Sequence, residues 1–418
     1  MLVDRHAAWH RQPGARRRRL PGVSVGTPFH ERTAPLNRKL AWGDWAGYAA
    51  AAVYADSHDI EYNAIRQAAG LIDVSPLYKY LVSGTDALRL VDRVITRAAT
   101  RLEVGQVLYT PWCDERGKVI DDGTVARLDE TSFRWTAADP CYRWLRMNSA
   151  GLDVDVQDVT DTTGALALQG PRARAVLESA TGEDWADVRY FRRRAATVAG
   201  IAVDVTRTGY TGDLGYELWV DAGSAPALWD ALLAAGADHG LRPCGIRAMD
   251  VARVEAGLVL LEVDYTSART ALTPEHEYTP YEIGLGRLVN LDKADFVGRR
   301  ALARERDAGT PGRRLVGIEL DWGGIEAAFA RHGLAPAVQA TVNREPTPIF
   351  YAGGQVGKAT STCWSPTLKK MIALASLTAP LRADAPLEIE WSVEGERGRV
   401  GARAVDLPFL DLDRKRAP

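Results

Sequence analysis

The order of apolar and polar positions along the chain predicts alternating helices and strands over its first three quarters. Five segments carry apolar side chains at helical spacing: 52–69, 84–96, 171–181, 224–240 and 244–257. Gly70 and Gly257 follow two of them as expected C-caps, and Thr85 or Asp86 precedes another as an expected N-cap.

Segments with strict alternation predict strands between these helices: 70–84, 104–110, 121–128, 133–138, 160–169 and a pair within 201–220. From about Arg313 the chain changes character, and short alternating runs joined by turns replace the helices. We therefore predict a mixed α+β fold followed by a small all-β domain or barrel.

Composition is that of an ordinary globular protein of several domains. The chain has 418 residues, of which 46% are hydrophobic and 25% charged, and its formal net charge is −2. Since domains cluster near about 100–150 residues, we expect two or three. The near-neutral charge and the lack of a long apolar stretch give no reason to expect nucleic acid or a membrane as a partner. The basic run Arg16–Arg19 is most simply a solvated N-terminal arm.

Metal sites and the common cofactor motifs are not indicated. The four cysteines stand far apart, and none of the seven histidines pairs at metal-ligand spacing. The chain also lacks the dinucleotide fingerprint, the P-loop, the zinc-protease helix motif and the nucleophile elbow of hydrolases. We expect no bound metal and, from the sparse cysteines, a reducing cytoplasmic location.

The stretch GKVIDDGTV, residues 117–125, puts two carboxylates side by side at Asp121 and Asp122. Strand alternation sends them to opposite faces, so that one can face a cavity while the other caps a turn or meets water. Taken alone, a double acid after a glycine-containing turn more often closes a hairpin than carries chemistry.

A second polar constellation is RTGYTGDLGYELWV, residues 207–220. Its three glycines permit a tight turn, and the following strand sends Glu217 to the face opposite its two strand neighbours. A buried glutamate there needs donors, and a heterocycle with ring N–H groups would satisfy both carboxylate oxygens. The plainer alternative is a hairpin with an exposed glutamate.

A third constellation is the predicted helix GIRAMDVARVEAG, residues 245–257. Helical spacing puts Met249, Arg253 and Gly257 on one face, and Asp250 is three residues before Arg253. An ion pair within the helix is the plainer interpretation.

In this order and spacing the three constellations resemble the folate-binding core of the aminomethyltransferase family, which comprises the glycine cleavage T-protein and its folate-dependent relatives. The resemblance runs from about Gly26 to Leu410. The supporting stretches are AIRQAAGLIDVSPL, GKVIDDGTVARL, LALQGPRA, RTGYTGDLGYELWV, RVEAG, GLGRLVNLDKADFVGRRAL and STCWSPTLKKMIALASL. Each is weak alone, whereas the ordered set is specific.

The resemblance implies a three-domain cloverleaf whose central hole binds tetrahydrofolate, or its 5-methyl or 5,10-methylene form. The implied segments are a basic disordered tail over 1–25, a first folate-binding domain over 26–77 and 148–262, a second over 78–147 and 263–312, and a β domain over 313–418.

The resemblance also implies site residues. It gives Asp122, rather than Asp121, as the catalytic acid near folate N5 and N10. The implied folate-binding residues are Tyr109, Asp122, Tyr210, Glu217 and Arg253. The chemistry agrees, because a reduced pterin has an NH/NH2 edge that a fixed carboxylate matches in bidentate fashion. A second carboxylate near N5 and N10 can accept a proton or stabilise the cation that forms during one-carbon transfer.

Three departures from the family pattern concern the substrate side and the folate tail. Met249 stands where T-proteins carry an arginine, with Arg247 two residues earlier, and Pro76 replaces a histidine. Ala137 and Ala138 stand where the family has Asn-Ala. We therefore expect a tetrahydrofolate-dependent transferase of a methyl, methylene or aminomethyl group, with folate and a small free metabolite as its partners.

Two alternatives stay open. One is a true glycine cleavage aminomethyltransferase acting on a lipoyl carrier protein, which the departures make the less favoured partner. The other is a non-enzymatic folate-binding factor like the family branch that supports iron–sulfur assembly. That branch carries a cysteine in the loop that reads RTGYTGDLGYE here, and this chain keeps Asp122.

Overall fold

The computed structural model describes residues 24–309, 311–339, 341–378, 381–382 and 384–417. The predicted basic tail, with Arg16–Arg19, lies outside the described residues except for residues 24 and 25. The described chain forms nine α-helices: α1 His30–Thr33, α2 His58–Gln67, α3 Ala87–Val94, α4 Tyr142–Asn148, α5 Ala173–Thr181, α6 Ala225–Gly236, α7 Ile246–Glu255, α8 Arg299–Ala308 and α9 Trp322–Ala330. Over this part of the chain, no helix has the length and apolarity to cross a membrane.

Twenty β-strands account for much of the remaining described chain. They are β1 Val25–Gly26, β2 Trp42–Trp45, β3 Tyr48–Ala51, β4 Ala69–Asp73, β5 Tyr78–Ser83, β6 Val107–Cys113, β7 Val119–Arg127, β8 Ser132–Ala137, β9 Asp155–Asp158, β10 Thr163–Gln169, β11 Arg193–Val198, β12 Ile201–Thr206, β13 Gly215–Asp221, β14 Leu241–Pro243, β15 Arg313–Leu320, β16 Thr347–Tyr351, β17 Gly354–Ser365, β18 Lys370–Thr378, β19 Leu387–Val393 and β20 Glu396–Val405.

The strands assemble into two large open sheets, a closed barrel and a small sheet. One large sheet has the order β11-β12-β13-β10-β4-β14, and the other has the order β6-β7-β8-β5-β9. The barrel is β15-β18-β17-β16-β19-β20, and β1-β3-β2 form the small sheet. The predicted α+β organisation with a C-terminal β-barrel is confirmed.

The six-stranded sheet is covered on both faces. Its strand β10 carries apolar side chains on each face, and both sets are buried. Leu166 and Leu168 pack with α5 and α6 in one core. Ala165 and Ala167 face the other way, into a core shared by α2, α7 and the barrel strands β17 and β18. Helix α7 therefore connects the sheet to the barrel.

Two local predictions are corrected by the structure. The predicted helix over 52–69 begins only at His58, because the Ser57 side chain accepts the Asp59 N–H as an N-cap. Gly70 lies in β4 rather than at a helix end. The predicted strand over 70–84 is two strands, β4 and β5, which belong to different sheets and are separated by a turn at Pro76.

The chain after α7 crosses the five-stranded sheet at β7. The Val119 N–H donates to the Tyr278 carbonyl at 2.8 Å. The Ser267 hydroxyl donates to the Ile120 carbonyl at 2.7 Å. This crossing segment brings residues far from β7 in sequence to the two carboxylates that β7 carries.

The predicted domain boundaries stay a prediction. Strand β9 lies within 148–262, which was assigned to the first folate-binding domain, yet it pairs with β5 in the five-stranded sheet. We propose that the two open sheets and the barrel mark the three domains, with β9 in the second.

Candidate active site

The two aspartates of β7 point in opposite directions and have different environments. Asp121 is fully buried, and its Oδ2 accepts the N–H groups of Ala138 and Asp139, each at 3.0 Å. Burial raises the pKa of Asp121 well above its ordinary value. Its contacts hold the turn that follows β8, which is a structural role.

The Asp122 carboxylate accepts hydrogen bonds from two tyrosines. The Tyr109 hydroxyl donates to its Oδ2 at 2.6 Å, and the Tyr265 hydroxyl donates to its Oδ1. Burial raises the pKa of Asp122, and the two tyrosine hydrogen bonds oppose that rise. Each oxygen accepts one tyrosine hydroxyl, and a carboxylate oxygen has about two lone-pair positions, so both oxygens can still take a donor from a ligand.

The position of Asp122 depends on the glycine that follows it. A Cβ atom on Gly123 would lie 2.1 Å from the carbonyl oxygen of Thr136 on β8. Only glycine lets β7 and β8 approach this closely, and the next strand pairs, from Val125 to Arg127, continue the ladder. Gly123 thus holds in place the strand that carries Asp122.

Glu217 lies on β13, in the other open sheet. Its strand neighbours Tyr216 and Leu218 are buried in the core that contains α5 and α6, so the glutamate faces away from that core as predicted. The Thr208 hydroxyl donates to its Oε2 at 2.5 Å. Burial raises the pKa of Glu217, and the Thr208 hydrogen bond opposes the rise. The side chain keeps partial exposure, which leaves acceptor positions open.

The loop before Glu217 is built around a buried amide. Gln169 accepts the Thr211 hydroxyl at 2.8 Å. The Gln169 side chain fits here because residues 209 and 215 are glycines. A Cβ atom on Gly209 would lie 2.1 Å from Oε1 of Gln169, and one on Gly215 would lie 2.3 Å from it. This packing positions Tyr210, whose hydroxyl donates to the Val259 carbonyl on the segment that follows α7.

Tyr109, Asp122 and Tyr210 come together, while Glu217 lies on the neighbouring sheet. Burial raises the pKa of Tyr109 well above its ordinary value, and both Asp122 and Tyr210 add to the rise, which reflects their proximity. The sequence thus identified a group of residues that the fold assembles from β6, β7 and the loop before β13.

Arg253 has a different setting from the other predicted folate-binding residues. Its side chain is 1% exposed and forms ion pairs with Asp250 at 2.8 Å and with Asp264. It also donates to the Ser361 hydroxyl of the barrel at 2.8 Å. The guanidinium therefore faces protein groups rather than an open cavity, and we propose a supporting role for it.

Sequence reasoning missed Tyr265 and Thr208. Tyr265 lies in an irregular segment after α7, where no periodic pattern marks it, and only the crossing of β7 brings it to Asp122. The sequence could have indicated Thr208, because this residue lies in the same glycine-rich loop as Tyr210, two residues before it.

Two of the positions that depart from the family pattern, Met249 and Ala138, have defined surroundings in the structure. Met249 is nearly buried, in the core shared by α2, α7 and the barrel. Ala138 supplies one of the N–H groups that hold Asp121. Among the described residues, no group of three or more His, Cys, Asp or Glu side chains is arranged to hold a metal ion.

Comparison with known proteins identifies the family. The family model of the GCVT N-terminal domain matches residues 29–293, and that of the glycine cleavage T-protein C-terminal barrel domain matches residues 313–411. The chain belongs to the glycine cleavage T-protein family. Its predicted membership of this family is confirmed.

The match to similar aminomethyltransferases extends over nearly the whole length of those proteins. The aminomethyltransferase of Moorella thermoacetica is 36% identical over 359 residues, which are 85% of this chain and 90% of that protein. The aminomethyltransferase of Shouchella clausii is 38% identical over 84% of this chain and 88% of that protein. The crystal structure of glycine cleavage system aminomethyltransferase T from Bartonella henselae gives a TM-score of 0.77 at 25% identity, covering 93% of this chain and 98% of that chain.

Membership in the T-protein family confirms the predicted enzyme class, a folate-dependent one-carbon transferase. The names of the relatives favour aminomethyl transfer, which the sequence analysis held as the alternative. Transfer from a small free metabolite, the favoured prediction there, has less support.

Proposed function

We propose that this enzyme takes an aminomethyl group from a lipoyl carrier protein, transfers its carbon to tetrahydrofolate and releases ammonia. The observation that carries the proposal is the match to curated aminomethyltransferases over about nine tenths of their length, 90% and 88% for the two relatives above. The lipoyl carrier, which the sequence analysis ranked below a small metabolite, becomes the favoured donor.

The carboxylates support folate as the acceptor. Glu217 is partly exposed and held on one oxygen by Thr208, so its remaining lone pairs suit the NH/NH2 edge of a reduced pterin. Asp122 lies on the other open sheet with acceptor positions left on both oxygens. We propose that Glu217 binds the pterin and that Asp122 lies near N5 and N10.

In the reaction, tetrahydrofolate supplies two nitrogen atoms that take up the transferred carbon. The C–S bond to the carrier and the C–N bond to ammonia break, two C–N bonds form, and the two displaced protons pass to sulfur and ammonia. Asp122 in its ionised form accepts a proton from a nitrogen and stabilises positive charge beside it. Tyr109 and Tyr265 hold the carboxylate in position, so that it need not reorganise during transfer.

Binding measurements test the folate assignment. We expect tetrahydrofolate to bind, and Glu217→Gln to weaken binding by about tenfold or more, because an amide replaces one carboxylate acceptor with a donor. An exposed control is Glu388→Gln in the barrel, whose carboxylate pairs with Arg399 on the neighbouring strand. Absence of binding to tetrahydrofolate and its 5-methyl and 5,10-methylene forms would end the proposal.

One observation favours a second candidate, transfer from a small donor. Met249 is 9% exposed where the family motif has an arginine, so an apolar side chain replaces a charge in the core shared by α2, α7 and the barrel. Incubation with tetrahydrofolate and a panel of methylated amines, ethers and sulfides separates the two. One-carbon transfer from the panel without ammonia release from an aminomethylated carrier would support the small donor.

A further inference from the structure

A chain of three hydrogen bonds connects the Trp219 indole to the Glu217 carboxylate. The indole N–H donates to the Thr206 hydroxyl at 3.2 Å, and the Thr206 and Thr208 hydroxyl oxygens lie 2.8 Å apart. The Thr208 hydroxyl then donates to Oε2 of Glu217. Thr206, Thr208 and Trp219 are 2%, 4% and 2% exposed, so bulk water does not compete for these bonds.

The two ends of this hydrogen-bond chain fix the direction of every bond in it. An indole N–H can only donate, and an ionised carboxylate can only accept. Because the Thr208 hydroxyl gives its proton to Glu217, its oxygen accepts from Thr206. Another acceptor in reach of Thr206, the Glu217 carbonyl, is farther away at 3.5 Å. The chain is therefore polarised from the indole toward the carboxylate, and aligned hydrogen bonds of this kind strengthen one another.

Arg134 of β8 holds the Trp219 ring at the start of the chain. Its guanidinium carbon lies 4.2 Å from the ring centroid, within the range of a cation–π contact. Arg134 and Arg193 both form ion pairs with Asp204 of β12. Burial raises the pKa of Glu217, and the charge of Arg134 opposes the rise. Since Arg134 belongs to the five-stranded sheet, both open sheets contribute to the surroundings of Glu217.

We propose that Thr206 and Trp219 are positioning residues, which act through Thr208 to hold the Glu217 carboxylate in the orientation that binds the pterin edge. The inference rests on the proposed function, in which Glu217 binds the pterin. Thr208 occupies one lone pair of Oε2, which leaves acceptor positions on both oxygens for two ring donors. A carboxylate that is held before the ligand arrives loses less conformational freedom on binding, so the affinity is higher.

Titration of the variant Thr206→Val with tetrahydrofolate tests the inference. Valine keeps the shape of threonine but removes the hydroxyl, so Thr208 loses its donor and Trp219 loses its acceptor. We expect Kd for tetrahydrofolate to rise about fivefold to tenfold. In the transfer assay kcat should change by less than about twofold, because Glu217 binds the ring and does not touch the transferred carbon.

The pH dependence of folate binding gives a second measurement on Thr206→Val. Hydrogen bonds from Thr208 and Thr206 favour the ionised form of Glu217, so their loss raises its pKa. Binding should therefore be lost at a higher pH than in the wild type as the solution is acidified. Arg134 stays paired with Asp204, and burial raises the pKa of Tyr190, which is also near Glu217, to about 12.

The matched control is Thr181→Val on α5. The Trp185 indole N–H donates to the Thr181 hydroxyl at 2.9 Å, and this hydroxyl donates to the Leu177 carbonyl at 2.8 Å. The substitution removes an indole–hydroxyl bond of the same kind, but its hydrogen bonds do not end on Glu217. We expect the wild-type Kd and pH dependence for this control. Thr206→Ser restores the hydroxyl and should recover most of the affinity that Thr206→Val loses.

A second variant, Trp219→Phe, removes only the first donor of the chain and keeps a ring beside Arg134. We expect Kd to rise about twofold to threefold, because the hydroxyls of Thr206 and Thr208 remain. Wild-type Kd and pH dependence in this variant would overturn the role of Trp219, also in the case that Thr206→Val does not fold.

The remaining outcomes separate this inference from the proposed function. Wild-type affinity in Thr206→Val would overturn the positioning role and leave the proposed function standing. A higher Kd without a shift in pH dependence, or without recovery in Thr206→Ser, would also overturn it, because a general weakening of the sheet produces that result. Failure of the wild-type enzyme to bind any form of tetrahydrofolate would overturn both.

Discussion

Asp122 is the residue on which the proposed chemistry depends. Two tyrosine hydroxyls hold its carboxylate, from β6 and from the segment after α7. Asp122→Asn keeps the shape but removes the negative charge, so we expect kcat/KM to fall about 10²–10⁴-fold. Folate binding measured by titration should change much less. A variant that keeps the wild-type rate would remove Asp122 from the mechanism.

The pH dependence of the reaction reports on the same carboxylate. Burial raises the pKa of Asp122, so activity should be lost as pH falls through a value above that of an ordinary aspartate. The Tyr265 hydrogen bond lowers this pKa, because it stabilises the ionised form. In Tyr265→Phe the acid limb of the kcat/KM profile should therefore move to higher pH. An unmoved limb would show that the hydroxyl does not act on Asp122.

At the scale of elements, the sequence predicted regular segments well and irregular ones poorly. The alternation around Asp122 and Glu217 identified β7 and β13, because the period of two is strict where one face is buried. Helix α9 was not predicted, because the sequence analysis expected only short strands from about Arg313 onward and the helix opens with two glycines after Trp322. Its start depends on Asp321, whose carboxylate accepts two backbone N–H groups. Tyr265 was missed because only the packing of the segment after α7 across β7 brings it to Asp122.

Glu255 shows how three elements are held together around the site. On α7, it accepts from Arg66 of α2 at 2.7 Å, from Tyr62 of α2 at 2.6 Å and from Ser365 of β17 at 2.5 Å. We expect Glu255→Gln to lower the free energy of unfolding by about 3–5 kcal/mol, because Arg66 then loses its closest counter-charge in the interior.

Urea unfolding measures this loss. The matched control is Asp230→Asn, which removes a surface pair with Arg32 and should cost at most about 1 kcal/mol. Equal effects of the two substitutions would show that the buried network does not hold α2, α7 and the barrel together.

At the scale of the molecule, the proposed site draws on both open sheets. Asp122 comes from the five-stranded sheet and Glu217 from the six-stranded sheet, while Arg253 connects α7 to the barrel. Composition and motifs predicted the fold class and the family. They could not predict the contacts across sheets, because these depend on how distant segments pack. They also ranked transfer from a small metabolite above aminomethyl transfer from a lipoyl carrier, whereas the names of the similar proteins favour aminomethyl transfer.

The most direct test of the central claim is a transfer assay with an aminomethylated lipoyl carrier protein and tetrahydrofolate. We expect the wild-type enzyme to release ammonia and form 5,10-methylene-tetrahydrofolate in equal amounts. Without tetrahydrofolate, we expect little ammonia. Ammonia release that does not depend on folate, or no ammonia at all from an enzyme that binds folate, would contradict the account.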